Sequence, residues 1–63
     1  MFEEYDVVRA NKRLNINIDK GEEGTVLMVF EGENNEYEVE FVDEQGNTLD
    51  VLTVGESDLE IVN

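Results

Sequence analysis

The clearest hydrophobic pattern in this chain lies between residues 36 and 54. In the segment EYEVEFV, aromatic and aliphatic residues alternate with glutamates, which is the two-residue period of a strand with one buried face. The segment DEQGN breaks this alternation, and a second run rich in β-branched residues follows it. Glycine at the last place of a three-residue loop suits a type I turn closed by a left-handed bulge residue. We therefore predict a β-hairpin with Gly46 in that conformation and Asp43 facing Asn47.

The register of this hairpin follows from the residues that must share its buried face. With the three-residue turn, Phe41 lies opposite Leu49 inside the fold. On the outer face, Glu40 then lies opposite Asp50, although like charges that face each other across a strand pair are destabilising. A two-residue loop would instead pair Phe41 with Asp50 and mix the two faces, so we favour the bulged turn.

Three further segments predict strands. They are a short first strand over residues 5–9, an apolar second strand over 24–31 and a last strand over 59–62 that follows a turn at Ser57. Residues 10–23 form a long first loop, and a helical interpretation fails because no apolar period near 3.6 persists. The order predicts an all-β fold, a small five-stranded SH3-like barrel with a short turn before the last strand, and one domain over residues 1–63.

Aromatic and aliphatic positions outside the hairpin core lead to two expectations. We expect Tyr5 and Phe30 to join the core and Phe2 to remain free. The predicted register also turns Val42 and Leu52 outward. Because an exposed apolar patch on a small domain indicates an interface, a homodimer or a partner groove is an alternative, and the edge strands, taken as the first and fifth, offer a second route to pairing.

Composition narrows the class of protein. The chain has 63 residues, at which size a hydrophobic core rarely supplies more than roughly 3–5 kcal/mol. It contains no cysteine and no histidine, which excludes disulfides and zinc sites of the Cys/His type. No apolar stretch approaches the length of a membrane span, and the first residues are acidic rather than signal-like. We expect a cytoplasmic protein with no membrane association.

Charge is distributed unevenly along the chain. There are 17 acids and 4 bases, and the net charge is −13. All four bases lie before residue 21, and from Glu22 onward every ionisable side chain except tyrosine is acidic. Binding to phosphate backbones relies on lysine and arginine. The charge pattern therefore disfavours nucleic acid as a partner. The four bases are Arg9, Lys12, Arg13 and Lys20.

Candidate chemistry is sparse. Histidine and cysteine, the commonest catalytic side chains, are missing, and the single serine, Ser57, lies in a turn signal. No nucleotide-binding motif is present, and DEQGN lacks the ligand spacing of a calcium loop. We expect no enzymatic activity, no catalytic residues, no metal site and no cofactor.

The chain resembles a known family along nearly its whole length. The segments YDVV, KGEEGTV, YEVEFVDEQGNTL and LTVGESDLEIV are similar to those of small bacterial proteins catalogued only as a domain of unknown function, which have an SH3-like or KOW-like barrel. Some members are encoded beside toxin genes, so the resemblance implies an immunity or antitoxin role. The first loop departs from it, because RLNINIDKG lacks the proline and histidine that relatives usually carry.

Two functional hypotheses remain. RNA-binding relatives of this barrel carry basic residues around the Gly-x-x-Gly turn, whereas here Glu22 and Glu23 lie between the glycines. The favoured hypothesis is a small acidic module that binds a basic protein partner, and the alternative is a KOW-like module associated with RNA or a nucleoprotein complex. The predicted partner-binding residues are Glu22, Glu23, Glu36, Glu38, Glu40 and Asp50.

Overall fold

The computed structural model describes residues 1–62 and is built from five strands and one short 3-10 turn. The elements are β1 (Val7–Ala10), β2 (Glu23–Phe30), β3 (Glu36–Val42), β4 (Thr48–Gly55), the 3-10 turn (Glu56–Asp58) and β5 (Leu59–Ile61). The predicted all-β fold, with its long first loop and short turn before the last strand, is confirmed. No helix in this part of the chain is long and apolar enough to cross a membrane.

The five strands form one antiparallel sheet in the order β4-β3-β2-β1-β5. The last strand returns to pair with the first, with Val8 opposite Ile61 and Ala10 opposite Leu59. Strand β1 therefore lies between β2 and β5, and the expectation that it is an edge strand is wrong. The edges of the sheet are β4 and β5.

The core follows the alternation that the sequence shows in β3, where Tyr37, Val39 and Phe41 are fully buried. One core residue, Ile18, comes from the first loop. Its backbone N–H donates to the side-chain oxygen of Asn15 (3.0 Å), so a local turn holds Ile18 under the sheet. The remaining buried hydrophobic residues are Val8, Ala10, Val26, Val54 and Leu59.

The β3–β4 turn has the predicted geometry. Gly46 has φ +84°, and the Asp43 N–H donates to the Asn47 carbonyl (2.9 Å). Beyond the turn, a bulge shifts the register, so that Phe41 pairs with Asp50. The predicted pairing of Phe41 with Leu49 is therefore wrong, because the bulge inserts Leu49 as an extra residue that packs against the core.

The bulge changes what lies opposite the outer glutamates. Glu40 pairs with Val51, so the predicted juxtaposition of Glu40 and Asp50 is wrong. Leu52 now shares the inner face with Val39 and packs against the core, which also corrects the expectation that Leu52 points outward. The bulge thus removes a like-charge pair and adds apolar contact in one step.

The aromatic residues are distributed differently from the expectation. A second bulge, between Val26 and Met28, exchanges the inward and outward positions along the rest of β2. Phe30 therefore points outward, with 42% of its surface exposed. Tyr5 is 74% exposed. Phe2 instead packs edge-on against Tyr37, with ring centroids 5.3 Å apart. Phe30 and Tyr5 are therefore surface residues, and Phe2 covers the core.

The two glycines of KGEEG have different roles. Gly21 has φ +96°, a conformation that side chains rarely adopt. Gly24 is needed for space instead, because a Cβ atom there would lie 2.7 Å from the Glu40 carbonyl oxygen and 2.7 Å from a methyl group of Val39. The first glycine thus makes the turn, and the second lets β2 approach β3 closely.

Candidate functional site

The outer face of β3 carries three glutamates in a row, Glu36, Glu38 and Glu40, which we call the glutamate row. Alternate residues on one strand are about 7 Å apart, so the row is about 14 Å long. Glu40 accepts a hydrogen bond from the Thr48 hydroxyl (2.5 Å). Within residues 1–62, the side chains of Glu36 and Glu38 make no hydrogen bond and no ion pair.

Apolar side chains border the glutamate row on both sides. On β2, Met28 lies opposite Glu38 and Phe30 lies opposite Glu36. On β4, Val51 lies opposite Glu40. Met28, Phe30 and Val51 are 47%, 42% and 44% exposed. The face therefore combines negative charge with exposed apolar surface. Sequence reasoning missed Met28 and Phe30 because the β2 bulge leaves no signal in an uninterrupted apolar run.

Glu23 extends the acidic face toward the start of β2. It pairs with Val42, which lies on the same face as Glu40, and its carboxylate is 3.6 Å from the Arg9 guanidinium. Glu22 lies beside this face, just before β2, and lines a surface depression with Asp43 and Glu44 among others. Five of the six predicted site residues are thus on or next to one face.

Asp50 does not join the glutamate row. It pairs with Phe41, and its carboxylate accepts hydrogen bonds from the side-chain amides of Asn15 (3.0 Å) and Asn17 (3.3 Å). These bonds, together with one from the Val51 N–H, lower the pKa of Asp50 below its usual value. Its place in the structure is to hold the first loop against β4.

Backbone N–H groups on the free side of β4 are also bound by carboxylates. Asp50 accepts from the Val51 N–H (2.8 Å), and Asp58 accepts from the Gly55 N–H (2.9 Å). An edge strand with free donors can pair with a strand of another chain. These two contacts remove donors from that edge, which weakens the case for a homodimer that forms through β4.

Asp43 has a similar local role at the β3–β4 turn. Its carboxylate accepts hydrogen bonds from the backbone N–H groups of Gln45 and Asn47, both at 2.9 Å. The Asn47 bond is the largest cause of a lowered Asp43 pKa. The Asn47 side chain adds a third contact at 3.3 Å. This carboxylate therefore supports the turn that aligns the two strands.

Tyr37 links the core to the other end of the sheet. Its hydroxyl donates a hydrogen bond to Glu56 and accepts one from the Phe2 N–H (3.2 Å). Burial and the bond to Glu56 raise the pKa of Tyr37 above its usual value. The α-amino group of Met1 lies 3.6 Å from the same Glu56 carboxylate. These contacts fix the first residues over the core.

Most of the bases form ion pairs. In residues 1–62, three of them lie beside carboxylates at separate places: Arg9 beside Glu23 (3.6 Å), Lys12 beside Asp58 (3.2 Å) and Arg13 beside Asp19 (3.5 Å). Three surface depressions in the same part of the chain are lined by acidic, apolar and uncharged polar residues and by none of the four bases. No cluster of three or more acidic side chains in residues 1–62 is placed to hold a metal ion.

Comparison with known families decides the membership of the chain. Residues 4–61 match the family described as Domain of unknown function (DUF4926). The chain belongs to this family. Comparisons with curated proteins and with solved structures gave no significant match.

The DUF4926 match places the site within the family domain. It covers all five strands and all six predicted site residues. The resemblance to a domain of unknown function is therefore confirmed. The family description assigns no activity, so the function has to be argued from the side chains of the acidic face.

Proposed function

We propose that this DUF4926 protein is a small acidic interaction module that binds a basic protein partner through the outer face of β3. The observation that supports it is the glutamate row, in which Glu36 and Glu38 are without a partner inside the described fold. The fold gains nothing from these two carboxylates. A cationic protein would provide both carboxylates with an ion-pair partner.

The energetics of the row favour an external cation. Two like charges about 7 Å apart in water repel by about 0.6 kcal/mol, and the interaction is further reduced by salt. This cost is small enough for the fold to tolerate and is relieved when a positive side chain lies between the two carboxylates. The net charge of −13 would also speed encounter with a basic protein.

A protein of immunity or antitoxin type fits this chemistry. Such a module acts by occupying the cationic surface with which a basic partner binds nucleic acid. It needs no catalytic group and no cofactor, and we propose neither for this chain. Specificity comes from the complementary shape and charge of the two faces, because opposed like charges reject other acidic proteins.

The test is a comparison of two charge-matched double variants as baits. Glu36→Lys with Glu38→Lys reverses the row at positions without internal contacts, and the control Glu33→Lys with Glu60→Lys makes the same charge change at exposed positions outside the row. We expect the wild-type and control proteins to capture the same basic protein from the source cells and the row variant to lose it. Because the proposed interaction is electrostatic, we expect the captured protein to elute at about 1 M salt, where the Debye length is about 3 Å.

Two outcomes would contradict the proposal. Equal loss of capture by both double variants would mean that net charge, rather than this face, directs binding. Tight, salt-sensitive binding of a short RNA by the wild-type protein, abolished by Arg13→Glu, would favour the RNA-associated alternative. Circular dichroism of both variants checks that they remain folded.

A further inference from the structure

The exposed apolar residues beside the glutamate row indicate the shape of what binds there. Resting on the function proposed above, we infer that the partner contributes an amphipathic helix with a basic stripe flanked by apolar side chains. The helix lies along β3 with its basic stripe on the row. The apolar side chains contact β2 on one side and β4 on the other.

The width of the face fits a helix. Neighbouring strands are about 4.8 Å apart, so the three strands β2, β3 and β4 span about 10 Å between their axes. An α-helix with its side chains is about 10–12 Å in diameter. An extended segment would direct only every second side chain to the sheet, in one line. It could cover the glutamates or one apolar border, but not all three strands.

The spacing along the face fits as well. Glutamates about 7 Å apart match helix residues four positions apart, which are separated by about 6 Å along the axis. Helix positions i, i+4 and i+7 form one stripe, and i+1, i+3, i+8 and i+10 lie to its two sides. Lysine or arginine on the stripe would reach the carboxylates while the outer positions reach the borders.

The apolar borders provide contacts at opposite ends of the row. Phe30 lies opposite Glu36 at one end, and Val51 lies opposite Glu40 at the other. Met28 lies at the centre on the β2 side. A simple polycation would leave all three exposed. An amphipathic helix removes them from water, which adds affinity that salt does not screen.

A second copy of this chain is a poor occupant of the same face. Two molecules related by a twofold axis would place one glutamate row against the other. Arg9 is the only base in residues 1–62 that lies beside this face. Like charges brought together in an interface oppose association. The charge of the face therefore selects a basic partner rather than self-association.

The experiment measures binding of two synthetic peptides of about 15 residues, the length at which isolated helices begin to be stable. The patterned peptide carries lysines at i, i+4 and i+7 and leucines at i+1, i+3, i+8 and i+10. The shuffled peptide has the same composition with both residue types spread around the helix. We expect the patterned peptide to bind about tenfold more tightly and to become helical on binding.

Variants of the apolar border provide the second arm. Phe30→Ser and Met28→Ser should each weaken the patterned peptide several-fold and leave the shuffled peptide unchanged. Ile16→Ser is the matched control, because Ile16 is 83% exposed in the first loop, outside this face. Using two border positions guards against a variant that fails to fold, which circular dichroism would reveal.

The results separate this inference from the function on which it rests. Equal affinity for both peptides, lost in the row variant Glu36→Lys with Glu38→Lys, would overturn the helix and leave a charge-based interaction. If neither peptide bound, or if the row variant bound them as tightly as the wild-type protein does, the helix would be overturned. Either result would also count against the acidic face itself. A tenfold preference that depends on Phe30 and Met28 supports both.

Discussion

The aspartates and the glutamates of this chain behave differently. All five aspartate carboxylates in residues 1–62 contact a partner within the chain, and four of them accept a hydrogen bond from a backbone N–H group. These four are Asp6, Asp43, Asp50 and Asp58. By contrast, within residues 1–62 only three of the twelve glutamates have an internal partner, and none accepts a hydrogen bond from a backbone N–H group. The three are Glu23, Glu40 and Glu56.

Side-chain length explains the contrast. An aspartate carboxylate is close enough to reach the backbone of its own turn, whereas a glutamate on a strand extends away from the sheet. Asp43 and Asp50 accordingly have lowered pKa values that come from hydrogen bonds. The net charge of −13 therefore has two parts. The aspartates support the fold, whereas Glu36 and Glu38 of β3 have no partner within residues 1–62.

The largest effect should come from disturbing the strand pairing that holds the glutamate row. In Gly24→Ala the new Cβ would lie 2.7 Å from the backbone oxygen of Glu40, so β2 and β3 must separate. We expect a loss of about 1–3 kcal/mol in unfolding free energy, as for other overpacked sites. Urea unfolding measures it. Gly32→Ala is the control, because no atom lies within 4 Å of its added Cβ, and an equal loss there would contradict the steric explanation.

A smaller effect should follow from neutralising an aspartate that supports a turn. The pKa of Asp43 is lowered in the folded state. Its contribution to stability is therefore present above the unfolded pKa, about 3.9, and is lost as the pH falls through the folded value. In Asp43→Asn we expect this part of the pH dependence of the unfolding free energy to disappear. The unfolding free energies of the wild-type and variant proteins, measured by urea unfolding, should therefore converge as the pH approaches 2.

The control for this measurement lies next to Asp43 in the turn. Glu44→Gln removes a charge from an exposed side chain that makes no hydrogen bond in residues 1–62. Its unfolding free energy should follow that of the wild-type protein through the same pH range. If Glu44→Gln reproduced the Asp43→Asn profile, net charge rather than the turn hydrogen bonds would account for the acid response.

The smallest effect should come from the row itself. Because Glu38 lies between two other glutamates, Glu38→Gln should raise the unfolding free energy by a few tenths of a kcal/mol at low salt and by nothing at high salt. Thermal unfolding at the two salt concentrations measures this difference. A decrease in stability would show that Glu38 supports the fold, which would remove the distinction between the two kinds of acid at this position.

Strand number, the β3 alternation and the Gly46 turn could be predicted from local sequence. Each depends on residues that are close in the chain: the period of EYEVEFV specifies the buried face, and the loop DEQGN specifies a left-handed residue at Gly46. The glutamate row followed from the same alternation. Three of the six predicted site residues are on β3 for that reason.

The two bulges and the place of Asp50 could not be predicted in this way. The run VLMVF is apolar at successive positions, and LDVL has apolar residues on both faces of its strand, so several registers bury similar surface. The register that forms depends on distant contacts, such as the bonds from Asn15 and Asn17 to Asp50. The exposure of Phe30 and Met28, and with it the apolar border of the site, is a consequence of the bulge in β2.

The carboxylates that bind the outer N–H groups of β4 have a consequence for behaviour at high concentration. The segment from Leu49 to Val54 is rich in β-branched residues and free of proline, a composition that promotes amyloid growth when its edge is open. Here an incoming strand would first have to displace Asp50 from Val51 and Asp58 from Gly55. These two contacts therefore oppose the addition of a further strand at β4.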